Sequence, residues 1–327
     1  MIRSPQFQGV YPVVPTPLKE DESLDLAGME HLVDYYVGEG CHGLLVLGSG
    51  GESPYFTIDE KADILKTVVQ RVKKRIPVIA GCTFTGLVEL TSFFKKVDSV
   101  AVDGFLTALP SYFPLQFDDV YSFYKEIVQR TDKKVLYYHY PQLTGHFFNA
   151  DQMKKLYEIE GVIGAKESAV CVPELKSHLK FLSGRGFSFF SGTCQLLLAA
   201  LESGGSGTMC SIPSVAPRLV IDCYQSWITG DKAAAKRYEN DIFRHIGLMN
   251  TFGMSAALQT KGFKVISRLP FPTMIGKKPR QAVFKETLRQ LGHPITAKVR
   301  SPLPQITDAD RAGIAALIKT SSHLKAV

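Results

Sequence analysis

Over its first 230 residues the chain alternates short apolar runs with amphipathic stretches, and the alternation repeats eight times. Strands are predicted to begin at Gly9, Gly43, Pro77, Gly104, Lys134, Val162, Phe187 and Gly207. Helical spacing fills the intervals. In Leu26–Gly38 it puts Met29, Leu32, Val33 and Tyr36 on one face; in Ile58–Val72 it gathers Ala62, Ile64, Leu65, Val68 and Val69 toward one side. Strands apolar on both faces suit a parallel sheet covered by helices. Eight such units predict an α/β fold of the (β/α)8, or TIM, barrel type rather than an open doubly wound sheet. No Gly-x-Gly-x-x-Gly follows the first strand, which argues against a dinucleotide fold.

Beyond Gly230 the strand pattern stops, and 231–249, 281–291 and 308–318 read as helices. The expected organisation is therefore a catalytic barrel over residues 1–229 and a C-terminal helical appendage over 230–327, with 267–279 as a proline-rich loop inside it.

Composition narrows the class. The N-terminus lacks the apolar core of a secretory signal and no apolar run approaches a membrane-spanning length, so a cytoplasmic protein with no membrane partner is expected. Six scattered cysteines without a Cys-x-x-Cys read as small hydrophobes in a reducing compartment. Eight histidines form no ligand-spaced pair, so a metal is not expected, and no cofactor is expected either. The formal charge of +7 is uneven: positions 261–300 hold ten Lys or Arg and one acid, Glu286. That segment reads first as a solvated helical face, and second as a positive field drawing small anions toward a site. It carries no interleaved aromatic platform, so nucleic acid is not an expected partner.

In a barrel the C-terminal strand ends share one mouth, whatever their distance in sequence. Ser49 is expected there after the second strand, Tyr112 after the fourth, Tyr138 at the end of the fifth and Lys166 at the end of the sixth. Gly192 follows the seventh, and Met209 lies on the eighth. A lysine taken out of water loses the solvation that keeps it charged, which frees its amine to attack a ketone. Beside a phenol that moves protons, such an amine makes imine-based carbon chemistry. Gly48-Ser49-Gly50-Gly51-Glu52 is a tight turn whose backbone N–H groups can cradle a carboxylate. An ordinary turn and a snorkelling lysine are the alternatives for each feature alone.

Together, Gly48-Ser49-Gly50-Gly51-Glu52, Tyr138-His139-Tyr140-Pro141, Gly164-Ala165-Lys166-Glu167-Ser168 and Gly204-Gly205-Ser206-Gly207 resemble the dihydrodipicolinate synthase / N-acetylneuraminate lyase family of class I pyruvate aldolases. The resemblance runs from Gly9 to about Trp227 and more loosely beyond. It implies Lys166 as the Schiff-base lysine, Tyr138 as proton shuttle, Ser49 as the hydroxyl that binds the keto-acid carboxylate, and Tyr112 as the relay's last member, often given across a dimer interface. It also implies a homo-oligomer, dimer or tetramer, and substrate contacts from Gly50, Gly51, Gly192, Met209, Leu143 and Thr193.

The sequence departs from the family pattern where substrates are chosen. Ser111 stands where a tyrosine is usual, and Gly50 where a second hydroxyl is. Leu143 occupies the place of the arginine that dihydrodipicolinate synthases carry, and Thr193-Cys194-Gln195 replaces the acids of sialic-acid lyases. The pattern looks most like 2-keto-3-deoxy sugar-acid aldolases. The expected substrates are pyruvate or another 2-keto acid and a neutral aldehyde. Dihydrodipicolinate synthase, N-acetylneuraminate lyase, a dehydratase of 2-keto-3-deoxy acids and a non-catalytic keto-acid-binding protein remain the alternatives.

Overall fold

The computed structural model describes residues 4–249, 254–272 and 279–326. Its eight strands are β1 (Gly9–Pro12), β2 (Leu44–Val46), β3 (Val78–Cys82), β4 (Gly104–Ala108), β5 (Lys134–His139), β6 (Val162–Glu167), β7 (Ser188–Ser191) and β8 (Gly207–Cys210). All pair in parallel, in the order β1-β8-β7-β6-β5-β4-β3-β2. A parallel bridge between Val13 and Leu45 joins the two ends, so the sheet closes on itself as a TIM barrel. The strands begin within a residue of the predicted starts, because each apolar run is buried on both faces.

Alternation along the strands divides the core in two. Tyr11, Val13, Leu45, Ile79, Leu106, Leu136, Phe190 and Met209 fill the barrel interior. Their strand neighbours face outward into the larger layer between sheet and helices. Those helices are α1 (Leu26–Gly38), α2 (Ile58–Val72), α3 (Leu87–Lys96), α4 (Phe117–Gln129), α5 (Pro141–Thr144), α6 (Ala150–Tyr157), α7 (Val172–Leu182), α8 (Leu197–Glu202) and α9 (Pro217–Ile228). Capping sets where they begin: Asp25 accepts the Gly28 N–H at 2.9 Å, and Thr57 and Glu60 form a reciprocal capping box on α2.

The C-terminal region contains α10 (Lys232–Arg244), α11 (Ala256–Ile266), α12 (Gln281–Gln290) and α13 (Asp308–Thr320). Three of these answer to predicted helices; α11 is additional. Two of its apolar positions, Leu258 and Val265, are exposed, so no continuous apolar stripe marks it. Of the predicted loop, residues 273–278 lie outside the described residues. Among the described residues no helix is long and apolar enough to cross a membrane.

The basic segment is the main correction. Lys261, Lys264 and Arg268 are exposed, as a solvated face requires. From α12 onward Lys285 and Arg300 instead turn inward, while Arg289 stays exposed beside Glu286. Lys285 is fully buried, with its amine 2.5 Å from Glu52 Oε1 and donating to the Lys298 carbonyl at 2.6 Å. Arg300 donates to Glu60 Oε1 at 2.8 Å and to the Glu22 carbonyl at 2.9 Å. These charges are held by carboxylates on the barrel, so they serve attachment more than a long-range field.

Candidate active site

The strand ends open into one cleft of about 670 Å³ lined by Ser49, Gly50, Tyr138, Leu143, Lys166, Gly192 and Tyr112, with the mouths of β3, β4 and α12 around them. Parallel pairing puts Tyr138 directly opposite Lys166, and both point into the barrel. The Lys166 amine lies 4.4 Å from the centroid of the Tyr138 ring. Lys166 is 3 % exposed and Tyr138 5 %, so the amine and the phenol meet where little water reaches. An amine there can attack a carbonyl carbon entering from the cleft, with a phenol adjacent to take or return protons.

The turn after β2 forms a single 3₁₀ turn, Ser49–Gly51. Leu47 (φ 57°) and Glu52 (φ 61°) bracket it in the left-handed region, which non-glycine residues adopt only when the surroundings hold them. The Glu52 carboxylate supplies that hold. Besides Lys285, it accepts the Arg300 backbone N–H at 2.8 Å, while Gln281 Nε2 donates to the Ser49 carbonyl at 3.0 Å. Burial pushes the Lys285 amine below its ordinary pKa, and the Glu52 charge works against that shift. Helix α12 thus buttresses the turn that would receive a carboxylate. Within the turn the Gly51 N–H donates to the Gly48 carbonyl at 2.9 Å. The N–H groups of Ser49 and Gly50 have no partner among the described residues, so they, rather than Gly51, are available as donors.

The other expected residues are distributed unevenly. Gly192 borders Ser168: a Cβ added at Gly192 would come 1.9 Å from Ser168 Oγ, so only glycine leaves that hydroxyl its place at the cleft. Leu143, 49 % exposed, offers apolar surface from α5. Met209 is instead sealed in the barrel interior below the cleft, and Cys210 and Ser211 take the lining position. Thr193 is turned away: its hydroxyl donates to Gln195 Oε1 at 2.6 Å. Tyr112 stands at the rim, 86 % exposed and edge-on to Phe113, and no hydrogen bond joins it to Ser49 or Tyr138 among the described residues.

Other lining residues escaped sequence reasoning. Tyr140 adds a further phenol, its ring 5.7 Å from that of Tyr138 and its pKa pushed up by burial. Lys61 projects from α2 with its amine 4.1 Å from the Phe84 ring centroid; burial lowers its pKa and the charge of Glu89 partly restores it. Arg280 reaches the cleft beside Gln281 while paired to Asp310 at 3.0 Å. Only Tyr140 had a sequence signal, its place in Tyr138-His139-Tyr140-Pro141. Lys61 reads as an ordinary surface cation until the chain is folded, and Arg280 only as one member of the basic 261–300 segment, from which a folded-back helix could bring a cation to the mouth.

Behind the site, on the outer face of the same strands, lies a buried polar cluster. Glu167 Oε2 is 2.8 Å from His139 Nδ1 and 3.3 Å from His178 Nδ1, and its Oε1 accepts the Ala169 N–H at 2.7 Å. Burial by itself would raise the Glu167 pKa, but the charges and hydrogen bonds of the two histidines pull it down to about 2. For His139 burial pulls the other way, yet the Glu167 carboxylate holds its pKa above the ordinary value.

The stability carried by the carboxylate is complete above its ordinary pKa of 4.5 and fades as the pH falls toward about 2. That carried by His139 is complete below its ordinary 6.5 and fades as the pH climbs through the raised value. Glu167→Gln should therefore lower the thermal midpoint most between about pH 4.5 and 6.5, and less on either side. Midpoints of parent and variant across pH check this; a difference independent of pH would show that no ion pair forms.

Comparison with known proteins identifies the family and agrees with the barrel fold. The model of the dihydrodipicolinate synthetase family matches residues 6–283. A 4-hydroxy-tetrahydrodipicolinate synthase of Ralstonia nicotianae is 30 % identical over 294 residues, 88 % of this chain and 98 % of that protein. Among solved structures, a prophage protein of the dihydrodipicolinic acid synthase family from E. coli K12, in complex with pyruvate, superposes with a TM-score of 0.83 at 23 % identity. It covers 96 % of this chain and 98 % of its own. An N-acetylneuraminate lyase from Mycoplasma synoviae gives 0.78 at 21 % identity over 98 % of both chains. At such identities these two structures speak for the fold alone.

Proposed function

Because the chain belongs to the dihydrodipicolinate synthetase family, a family of lyases, we propose that it reversibly cleaves a 2-keto-3-deoxy sugar acid to pyruvate and a neutral aldehyde through an imine on Lys166. The observation that carries the reading is the buried amine of Lys166 set 4.4 Å from the Tyr138 ring at the floor of an open cleft.

In this mechanism the substrate carboxylate rests on the free N–H groups of Ser49 and Gly50 and on the Ser49 hydroxyl, which turns C2 toward Lys166. The amine adds to C2 and water leaves, forming a protonated imine. Tyr138 then takes the proton of the C4 hydroxyl as the C3–C4 bond breaks. The bonding electrons pass through C3 into the imine, the aldehyde departs, and an enamine remains. Protonation at C3 and hydrolysis release pyruvate and restore the amine. Proton transfer of this kind is commonly worth ~10²–10⁴ in rate. Tyr112 and Phe113 expose an apolar pair at the rim; in a homodimer Tyr112 would reach a neighbouring copy's site and complete its relay.

Leu143 supports a neutral second substrate. Among the described residues the cleft cations other than Lys166 are Lys61 and Arg280, and each stands near a carboxylate, Glu89 and Asp310, which offsets much of its charge. The rival reading, condensation with aspartate semialdehyde, draws on the name of the Ralstonia relative and on Arg280 as a stand-in for the missing arginine. A desolvated carboxylate without a cation is strongly penalised. With pyruvate saturating, kcat/KM for glyceraldehyde should thus exceed that for aspartate semialdehyde by ~10-fold or more. The reverse preference would assign the cation to Arg280 or Lys61 and overturn the sugar-acid reading. Product analysis separates cleavage from dehydration.

A further inference from the structure

The pairing of β5 with β6 is interrupted. Val135 stands opposite Val162, but Leu136 stands opposite Gly164, so Ile163 is an extra residue on β6. Had the pairing run on unshifted from Val135 and Val162, Tyr138 would face Ala165, and Lys166 would face His139. The extra residue also reverses which side chains point inward. Val162 and Ala165, an odd number of positions apart, both pack in the outer layer, and Lys166 is thereby turned into the barrel. The irregularity depends on Gly164, where a Cβ would come 2.6 Å from the Ser188 carbonyl oxygen.

A shifted register must be held beyond the shift, or the strand can slip back. The first pair past Tyr138 and Lys166 is His139 and Glu167. Their side chains meet on the outer face at 2.8 Å, both almost wholly buried. The Ala169 N–H donates to the same carboxylate, and the Ser168 N–H donates to the His139 carbonyl at 2.8 Å, so the chain leaving β6 is fastened as well. A slip by one residue would put His139 beside Lys166 and leave the Glu167 carboxylate beyond the end of β5. A buried ion pair is a weak source of net stability but strongly penalises a partner's absence. That asymmetry selects one register.

We propose that Glu167 and His139 are positioning residues, an outward-facing lock that holds the interrupted register and so keeps the Lys166 amine against Tyr138. This rests on the imine reading above. His178, which shares the Glu167 carboxylate, and Tyr157, whose hydroxyl lies 3.2 Å from His178 Nδ1, tie the lock to α7 and α6. Glu174 also bears on it electrostatically, its own pKa raised by burial and by the Glu167 charge.

The test is exchange of the C3 hydrogens of pyruvate in D₂O, followed by NMR, which needs imine and proton carrier but no aldehyde. Glu167→Gln should slow exchange at saturating pyruvate by ~10–10²-fold at temperatures well below its thermal midpoint, with KM little changed. His139→Asn, which keeps a polar side chain, should act alike and serves if the first variant does not fold. In a Tyr138→Phe background either substitution should cost much less, because the proton carrier it positions is already gone. The same fold-loss in both backgrounds, or no loss in the folded protein, would overturn the lock. Absence of exchange in the unsubstituted enzyme would instead overturn the imine reading, and the positioning role with it.

Discussion

Borohydride added together with pyruvate is expected to inactivate the enzyme and to leave one reduced adduct, on Lys166. Hydride reduces an imine to a stable secondary amine, whereas free amines do not react, so the label reports which lysine condensed with the ketone. Among the described residues two lysines line the cleft. Lys166 faces Tyr138 at the barrel floor; Lys61 is likewise buried, under the Phe84 ring, with a pKa lowered by burial. Burial at the cleft makes either amine a candidate nucleophile. They differ in what else is at hand, because Lys166 has a phenol beside it and the unpartnered N–H groups of the Ser49 turn across the cleft. Lys61→Met should still be labelled. Lys166→Ala should lose labelling and pyruvate exchange altogether while keeping the parent's circular dichroism. Peptide mapping of the reduced protein settles the point, and a label on Lys61 would reassign the chemistry.

The second large effect concerns stability and arises far from Lys166 in sequence. Lys285→Met should destabilise the enzyme by ~3–5 kcal/mol, the usual consequence of leaving one charge of a buried pair uncompensated. Here the uncompensated charge would be the Glu52 carboxylate, retaining the Arg300 N–H alone as partner. Glu52 also holds a left-handed backbone conformation beside the Ser49 turn. The variant is therefore expected to raise KM for pyruvate more than it lowers kcat. Adding Glu52→Gln should restore most of the lost stability, since a neutral pair needs no counter-charge. Chemical and thermal denaturation of the four proteins of this cycle measure the two stability claims, and steady-state kinetics with pyruvate measure the third. A single variant within ~1 kcal/mol of the parent would show that other contacts anchor α12.

Much of this architecture can be read from local pattern. The eight strands announce themselves as runs apolar on both faces, and Leu26–Gly38 and Ile58–Val72 as one-sided stripes. A barrel topology then brings the ends of β2, β5 and β6 together, which is why Ser49, Tyr138 and Lys166 could be expected in one cleft. Thr193 and Met209 show where that logic ends. Both stand at the right heights on the sequence, yet the hydroxyl of Thr193 is taken up by Gln195, and Met209 packs below the cleft. Strand position gives height along the barrel axis; it does not give rotamer or hydrogen-bond partner.

What the amino-acid sequence determined by itself is the alternation of elements, and with it the barrel and the set of strand-end residues, because burial on both faces of a strand is a local property of composition. Tertiary structure alone decided three other matters. The extra residue at Ile163 turns Lys166 inward, an outcome that exists only relative to the neighbouring strand. Lys285 and Arg300 became buttresses around the Ser49 turn, because the carboxylates that claim them, Glu52 and Glu60, lie more than two hundred residues earlier in the chain. Arg280 and Lys61 entered the cleft by the same route. Charge and apolar pattern are written along one dimension, whereas pairing, desolvation and register depend on which distant groups the closed barrel brings within a few ångströms.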